Sequence, residues 1–183
     1  QGIPSSEIES KVGKHFVAIT RANAPFAEEV KEKGFLTFNV PEGLRGAYGV
    51  FTNEGLLPLA LAGVSIEEFL ESGRTGMAMS REENPEENIG AQLAVFQEAM
   101  RRAGRNQIVL VLPEELRGFG EWWQELIPGL AREGEGIIPV VEEELASPES
   151  YGKNTAFVQL RVGVAERSSA LEQIREAGYP VFE

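Results

Sequence analysis

The sequence predicts an α/β fold with parallel sheets flanked by helices. Three observations carry that expectation. Apolar runs of strand length recur at 15–20, 35–40, 107–112 and 155–162. Helical stretches with stop signals lie between them, and the first strand–helix–strand spacing is that of a βαβ crossover, which makes its strands parallel. Gln107-Ile108-Val109-Leu110-Val111-Leu112 is apolar nearly throughout, as in a strand covered on both faces.

Taken in order, residues 1–14 are polar and small-rich and read as a tail. His15 to Thr20 forms the first strand. Pro25 suits the first turn of the next helix, and Gly34 stops it. Phe35 to Val40 is the second strand. Residues 41–54 hold Gly43, Gly46 and Gly49 and read as a shaped loop. The helix from Gly55 to Gly63 is apolar all round, the pattern of a buried helix, with Thr52 and Asn53 placed to cap it. Ser65-Ile66-Glu67-Glu68 is a capping box, with Val64 and Phe69 at the staple positions. A third helix sets Ile89, Leu93, Phe96 and Met100 on one face and stops at Gly104. Glu82, Glu83, Glu86 and Glu87 bring negative charge to its start, where the helix dipole favours it.

The α/β pattern then resumes. Residues 119–131 read as helix, 137–140 as a short extended run and 155–162 as a strand. Ser169-Ala170-Leu171-Glu172 is a second capping box, opening a helix that Gly178 closes. Tyr179 to Glu183 reads as the start of another strand, so more chain is expected beyond it, and Gln1 in place of Met is read as a trimmed or processed start.

Composition bounds the function. Of 183 residues, 42% are hydrophobic and the formal net charge is −12. That supports a real core. An acidic surface repels nucleic acid and anionic membrane, and neither is expected as a partner. An anionic substrate needs a local cation or amide nest. Cysteine is absent, which excludes disulfides and thiolate metal sites and fits a reducing cytoplasm. No run reaches the roughly 18 residues that span a bilayer, no signal peptide is read, and no metal site is visible.

Two stretches carry a family resemblance. Lys14-His15-Phe16-Val17-Ala18-Ile19-Thr20 through Gly55-Leu56-Leu57-Pro58-Leu59-Ala60-Leu61-Ala62-Gly63-Val64 is similar to the end of the first sugar-isomerase (SIS) lobe and the inter-lobe helices of the glucose-6-phosphate isomerase family. Trp122-Trp123-Gln124-Glu125-Leu126-Ile127 through Gly134-Glu135-Gly136-Ile137-Ile138-Pro139-Val140 is similar to the segment that carries the family's catalytic base. Pro148-Glu149-Ser150-Tyr151-Gly152 before Phe157-Val158-Gln159-Leu160-Arg161 looks like the branch in which the isomerase is fused to a transaldolase.

The resemblance implies partial halves of two SIS lobes with a helical connector: a tail at 1–14, the end of a first lobe at 15–54, the connector at 55–104 and the start of a second lobe at 105–183. It implies isomerisation of glucose 6-phosphate to fructose 6-phosphate through an enediolate, with a glutamate moving the proton, an arginine stabilising the charge and no cofactor. It also implies a homo-oligomer, or a complementing chain that supplies the serine- and threonine-rich phosphate loop and the late lysine-bearing helix.

The chain departs from the family at both catalytic positions. In Leu44-Arg45-Gly46-Ala47-Tyr48-Gly49 the arginine's place is taken by Ala47, with Arg45 two residues earlier. The glutamate's place falls on Gly129, within Pro128-Gly129-Leu130, and Glu125 lies one helical turn before it. Glu125 and Arg45 are therefore the candidate catalytic residues, and Gly46, Tyr48 and Thr52 the candidate substrate contacts. The plainer alternatives are a solvated loop arginine, the solvent face of an amphipathic helix for Glu125, turn glycines and a helix cap. His15 is a strand-edge residue without a second ligand, Trp122 and Trp123 read as core, and Glu142-Glu143-Glu144 as a solvated loop. A non-catalytic sugar-phosphate binder and a structural subunit of a split isomerase are the competing functions.

Overall fold

A computed structural model describes residues 11, 13–44, 46–130, 136–142, 144–163 and 168–183. The chain forms two compact units, Gln1–Met77 and Ala78–Glu183.

In the first unit, β1 (Val17–Thr20) and β2 (Leu36–Asn39) form a two-stranded parallel sheet joined through α1 (Ala27–Glu32). Val17 pairs with Leu36 and Thr20 with Asn39. Pro25 precedes α1 instead of entering its first turn, because Phe26 holds the N-cap position. Gly34 ends the helix with a φ of 70°, which a residue with a Cβ resists. Ala27, Val30 and Val40 form a small core.

The loop after β2 is ordered as a 3-10 helix, Gly46–Phe51, which leads into α2 (Asn53–Leu61) and α3 (Ile66–Ser80). α2 is not buried as its composition predicts. None of its residues is buried, and Leu61 is 81% exposed. Its apolar side chains go all the way round, but the 3-10 helix covers one side only. There the contact is close: a Cβ on Gly55 would lie 2.3 Å from the Val50 carbonyl oxygen. The Phe51 ring lies tilted against Phe69 of α3, with centroids 5.1 Å apart. The Ser65 box forms through its hydroxyl, which accepts from the Glu68 amide at 3.4 Å.

The second unit is a four-stranded parallel sheet in the order β4-β3-β5-β6, with β3 Gln107–Val111, β4 Ile138–Glu142, β5 Thr155–Gln159 and β6 Val181–Phe182. β3, β5 and β6 are shorter than the runs that predict them, since pairing stops before the runs do, whereas β4 continues to Glu142, past the predicted 137–140. Pro139 sits in the edge strand β4. The Ile138 amide donates inward to Asn106, so position 139 faces the free edge, where a missing N–H costs little.

α4 (Ile89–Arg102) and α5 (Arg117–Leu130) cover one face of this sheet, where Ile108, Leu110, Ala156 and Val158 meet Trp123, Leu93, Phe96 and Met100. α6 (Ser169–Glu176) covers the other, where Val109 and Phe157 meet Leu171 and Ile174. Alternate residues of each strand serve opposite faces. Ile89 departs from its predicted face and is 61% exposed, because it is the first residue of α4 and precedes the sheet contact. Trp123 is core, whereas Trp122 is half-exposed and stacks on Phe119. The cap of α6 is Ser168, one residue before the predicted serine, with its hydroxyl accepting from the Leu171 amide. The acidic run before α4 lies ahead of its first turn, and Asn88 caps the helix by accepting from the Ala91 amide at 2.9 Å.

Candidate functional site

The first candidate region is the 3-10 helix at the C-terminal end of the β1–β2 sheet, where βα loops commonly bind ligands. Two bonds anchor it. Arg21, just past β1, donates to the Leu44 carbonyl at 2.8 Å, and Asn53 donates to the Asn39 carbonyl at the end of β2 at 2.7 Å. Thr52 is the N-cap of α2. Its hydroxyl donates to the Gly49 carbonyl at 2.7 Å and accepts from the Glu54 amide at 3.3 Å, so its only proton is committed to the fold. Tyr48 is 42% exposed. Gly46 opens the 3-10 helix. Arg45 lies outside the described residues. Tyr48, Gly46 and Thr52 thus share one short segment, while Glu125 belongs to the second unit.

In the second unit Glu125 lies on α5, exposed, and has no ion pair among the described residues. α5 continues through Pro128 to Leu130, so Gly129 is still helical. A cleft of about 670 Å³ runs between α5 and the ends of β3 and β4, and Arg117, Glu121, Gln124 and Glu144 reach it. Arg117 is shared between Glu114 at 3.9 Å and Glu121 at 4.0 Å. Gly120 lets α5 approach the sheet here: a Cβ would lie 2.5 Å from Leu112 Cδ1. Glu144 therefore borders a cleft, Glu142 ends β4, and Glu143 lies outside the described residues.

A second crevice, of about 380 Å³, opens at the C-terminal ends of β3 and β5. The chain leaves β3 for β4 on one side and later enters β5 on the other, so the strand order reverses at this point. Open parallel sheets bind ligands at such switch points. Gln159 ends β5 opposite Val111 and lines the crevice. Its Oε1 is buried and has no hydrogen-bond partner among the described residues. An orphaned buried acceptor costs about 1–3 kcal/mol. Sequence reasoning passed over Gln159; the available signal was a carboxamide ending an otherwise buried strand.

Among the described residues the largest electrostatic shift falls on Glu98 of α4. Hydrogen bonds from Arg101 and Arg102 hold the Glu98 carboxyl down at about 2, against an ordinary 4.5. Among the described residues no group of three His, Cys, Asp or Glu could hold a metal ion. None of their helices is long and apolar enough to cross a membrane.

Comparison with known proteins agrees with this architecture. A hypothetical protein of Thermus thermophilus superposes with a TM-score of 0.75 at 18% identity, over 96% of this chain and 52% of that one. That defines the class: an α/β protein of parallel sheets flanked by helices. No family model matches the chain. The sequence relatives are more specific. Glucose-6-phosphate isomerase of Caldanaerobacter subterraneus subsp. tengcongensis is 30% identical over 160 residues, which are 83% of this chain and 35% of the enzyme. That of Clostridium tetani is 31% identical over 72% of this chain and 30% of the enzyme. That of Bacillus cytotoxicus is 31% identical over 96% and 39%. The chain is a relative of the glucose-6-phosphate isomerases and spans between 30% and 39% of the length of these three. None of the three is named as a transaldolase fusion.

Proposed function

We propose that the chain serves aldose–ketose isomerisation of a sugar phosphate, interconverting glucose 6-phosphate and fructose 6-phosphate. The observation that carries this is the match to glucose-6-phosphate isomerases along 83% and 96% of the chain in two relatives. In this reading a carboxylate removes the proton from C2 of the open-chain aldose. The electron pair moves into an enediolate, a nearby cation stabilises the developing oxyanion, the carboxylic acid returns the proton at C1, and the O2 hydroxyl proton passes to O1 to leave the ketose. Glu125 is the carboxylate and Arg45 the cation, with Gly46, Tyr48 and Thr52 contacting the sugar phosphate. No cofactor enters, the setting is cytoplasmic, and a homo-oligomer or a complementing chain supplies the remaining parts.

One observation favours a second reading, a sugar-phosphate binder without turnover or a structural subunit of a split isomerase. The resemblance puts Gly129 at the glutamate's place, and Glu125 is exposed on α5.

Thermal melting with and without millimolar fructose 6-phosphate, followed by a coupled isomerase assay, separates the readings. A ligand selective for the folded state raises the melting temperature. The isomerase reading expects a shift with turnover that Glu125→Gln abolishes. A shift without turnover gives the binder, and neither response leaves the structural role.

A further inference from the structure

Gln159 plays no part in the proton transfer proposed above, yet with Thr155 it is one of two residues of the second unit with a buried side-chain polar atom that has no partner among the described residues. It is 9% exposed, its Oε1 lacks a partner among the described residues, and it lines the crevice at the β3/β5 switch point. A second hollow, of about 610 Å³, shares Gln159, Leu160 and Arg161 with it. We propose that this crevice binds a small hydroxylated organic anion, the Gln159 carboxamide taking a hydroxyl and the Arg161 guanidinium taking the charge.

Each part of the ligand follows from a part of the wall. The two ends of a carboxamide differ only in donating or accepting. A hydroxyl does both, so it suits whichever end of the carboxamide faces the crevice. Arg161 is exposed beside it and brings a fork of donors that suits a phosphate or a carboxylate. In a chain of net charge −12, such a local cation is what an anion requires. Glu115, also on the wall, accepts a second hydroxyl and disfavours a bare inorganic anion. Leu112, Pro113 and Val162 cover a short carbon skeleton. The crevice volume of about 380 Å³ is in the range of small-molecule sites.

Calorimetric titration of the whole chain tests this with four probes: glycerol 3-phosphate, glycerate, glycerol and inorganic phosphate. One of the two hydroxylated anions is expected to bind saturably, and which one tells phosphate from carboxylate. Glycerol and inorganic phosphate, each half a ligand, should bind at least roughly tenfold more weakly. Arg161→Ala, at an exposed position, and Gln159→Leu should each weaken binding by roughly tenfold. Gln159→Leu should also melt no lower than the native chain, because it removes an orphaned polar group. A merely structural glutamine would instead lower the melting point and leave the affinity of the folded chain unchanged. Glu125→Gln should keep this binding even where it abolishes turnover, so this site and the isomerase reading fail separately. Absence of saturable binding for both hydroxylated anions, or affinity indifferent to both substitutions, overturns the proposal and leaves a crevice that holds only water.

Discussion

The two units run the same βα logic with different depth of burial. In the second, β3 and β5 are covered on both faces, and Ile108, Val109, Phe157, Val158 and Ile174 have no exposed surface. In the first, β1 and β2 have only each other as partners among the described residues, and Val17 and Leu36 at the start of the sheet are 48% and 59% exposed. An isolated strand pair is marginal without further strands or a packed helix. The difference teaches that a strand's neighbours set its stability more than its composition does. It also separates the candidate sites: the Tyr48–Thr52 segment rests on the thin unit, and Gln159 on the solid one.

Paired core truncations give the largest expected effect. Phe157→Ala should destabilise the second unit by about 3–5 kcal/mol, the range for a fully buried aromatic. Val30→Ala in the first should cost about 1–2 kcal/mol, since its core is small. Chemical denaturation of both variants checks this, and hydrogen exchange should find β3 and β5 amides protected after those of β1 and β2 have exchanged. Equal costs would show that the first unit is packed as tightly as the second.

A middle-sized effect is expected at Asn88. Its side chain caps α4 and also donates to the carbonyls of Ser80 at 3.2 Å and Glu82 at 2.9 Å. Asn88→Ala should cost about 1–2 kcal/mol, because a cap and a buried polar clasp are lost together. Asn88→Asp keeps the acceptor and loses the donor, so it should recover only the capping part, and thermal melts of the two variants resolve the shares.

The smallest effect is a pH dependence. The folded Glu98 carboxyl is held at about 2 instead of 4.5. A depressed folded value contributes stability above the ordinary value, and that contribution fades as pH falls towards the folded one. Native and Glu98→Gln chains should therefore differ slightly in melting temperature above pH 4.5 and converge as pH falls to about 2. Glu98, Arg101 and Arg102 are all partly open to solvent, so salt should shrink the difference. A gap that persists at low pH would assign the effect to helix propensity.

Much of the fold was legible because its signals are local. Gly34, Gly104 and Gly178 each end a helix with positive φ. The apolar run at 107–112 announced a doubly covered strand, and the amphipathic stripe of Leu93, Phe96 and Met100 found its sheet. Other features needed context. Ser169 and Ser168 are equally good caps in isolation, and only the docking of Leu171 and Ile174 selects Ser168. The apolar composition of α2 signalled burial, but burial depends on what else the chain places there.

The sequence by itself determined the α/β class, the order of strands and helices and the kinship with glucose-6-phosphate isomerases. Those properties are written in residue identity and near-neighbour spacing. The tertiary structure alone decided the strand order β4-β3-β5-β6, the exposure of α2, the committed Thr52 hydroxyl and the orphaned Gln159 carboxamide. Strand order and burial arise from pairings across tens of residues, where chain entropy opposes each closure. No local window contains the partner that such a pairing requires.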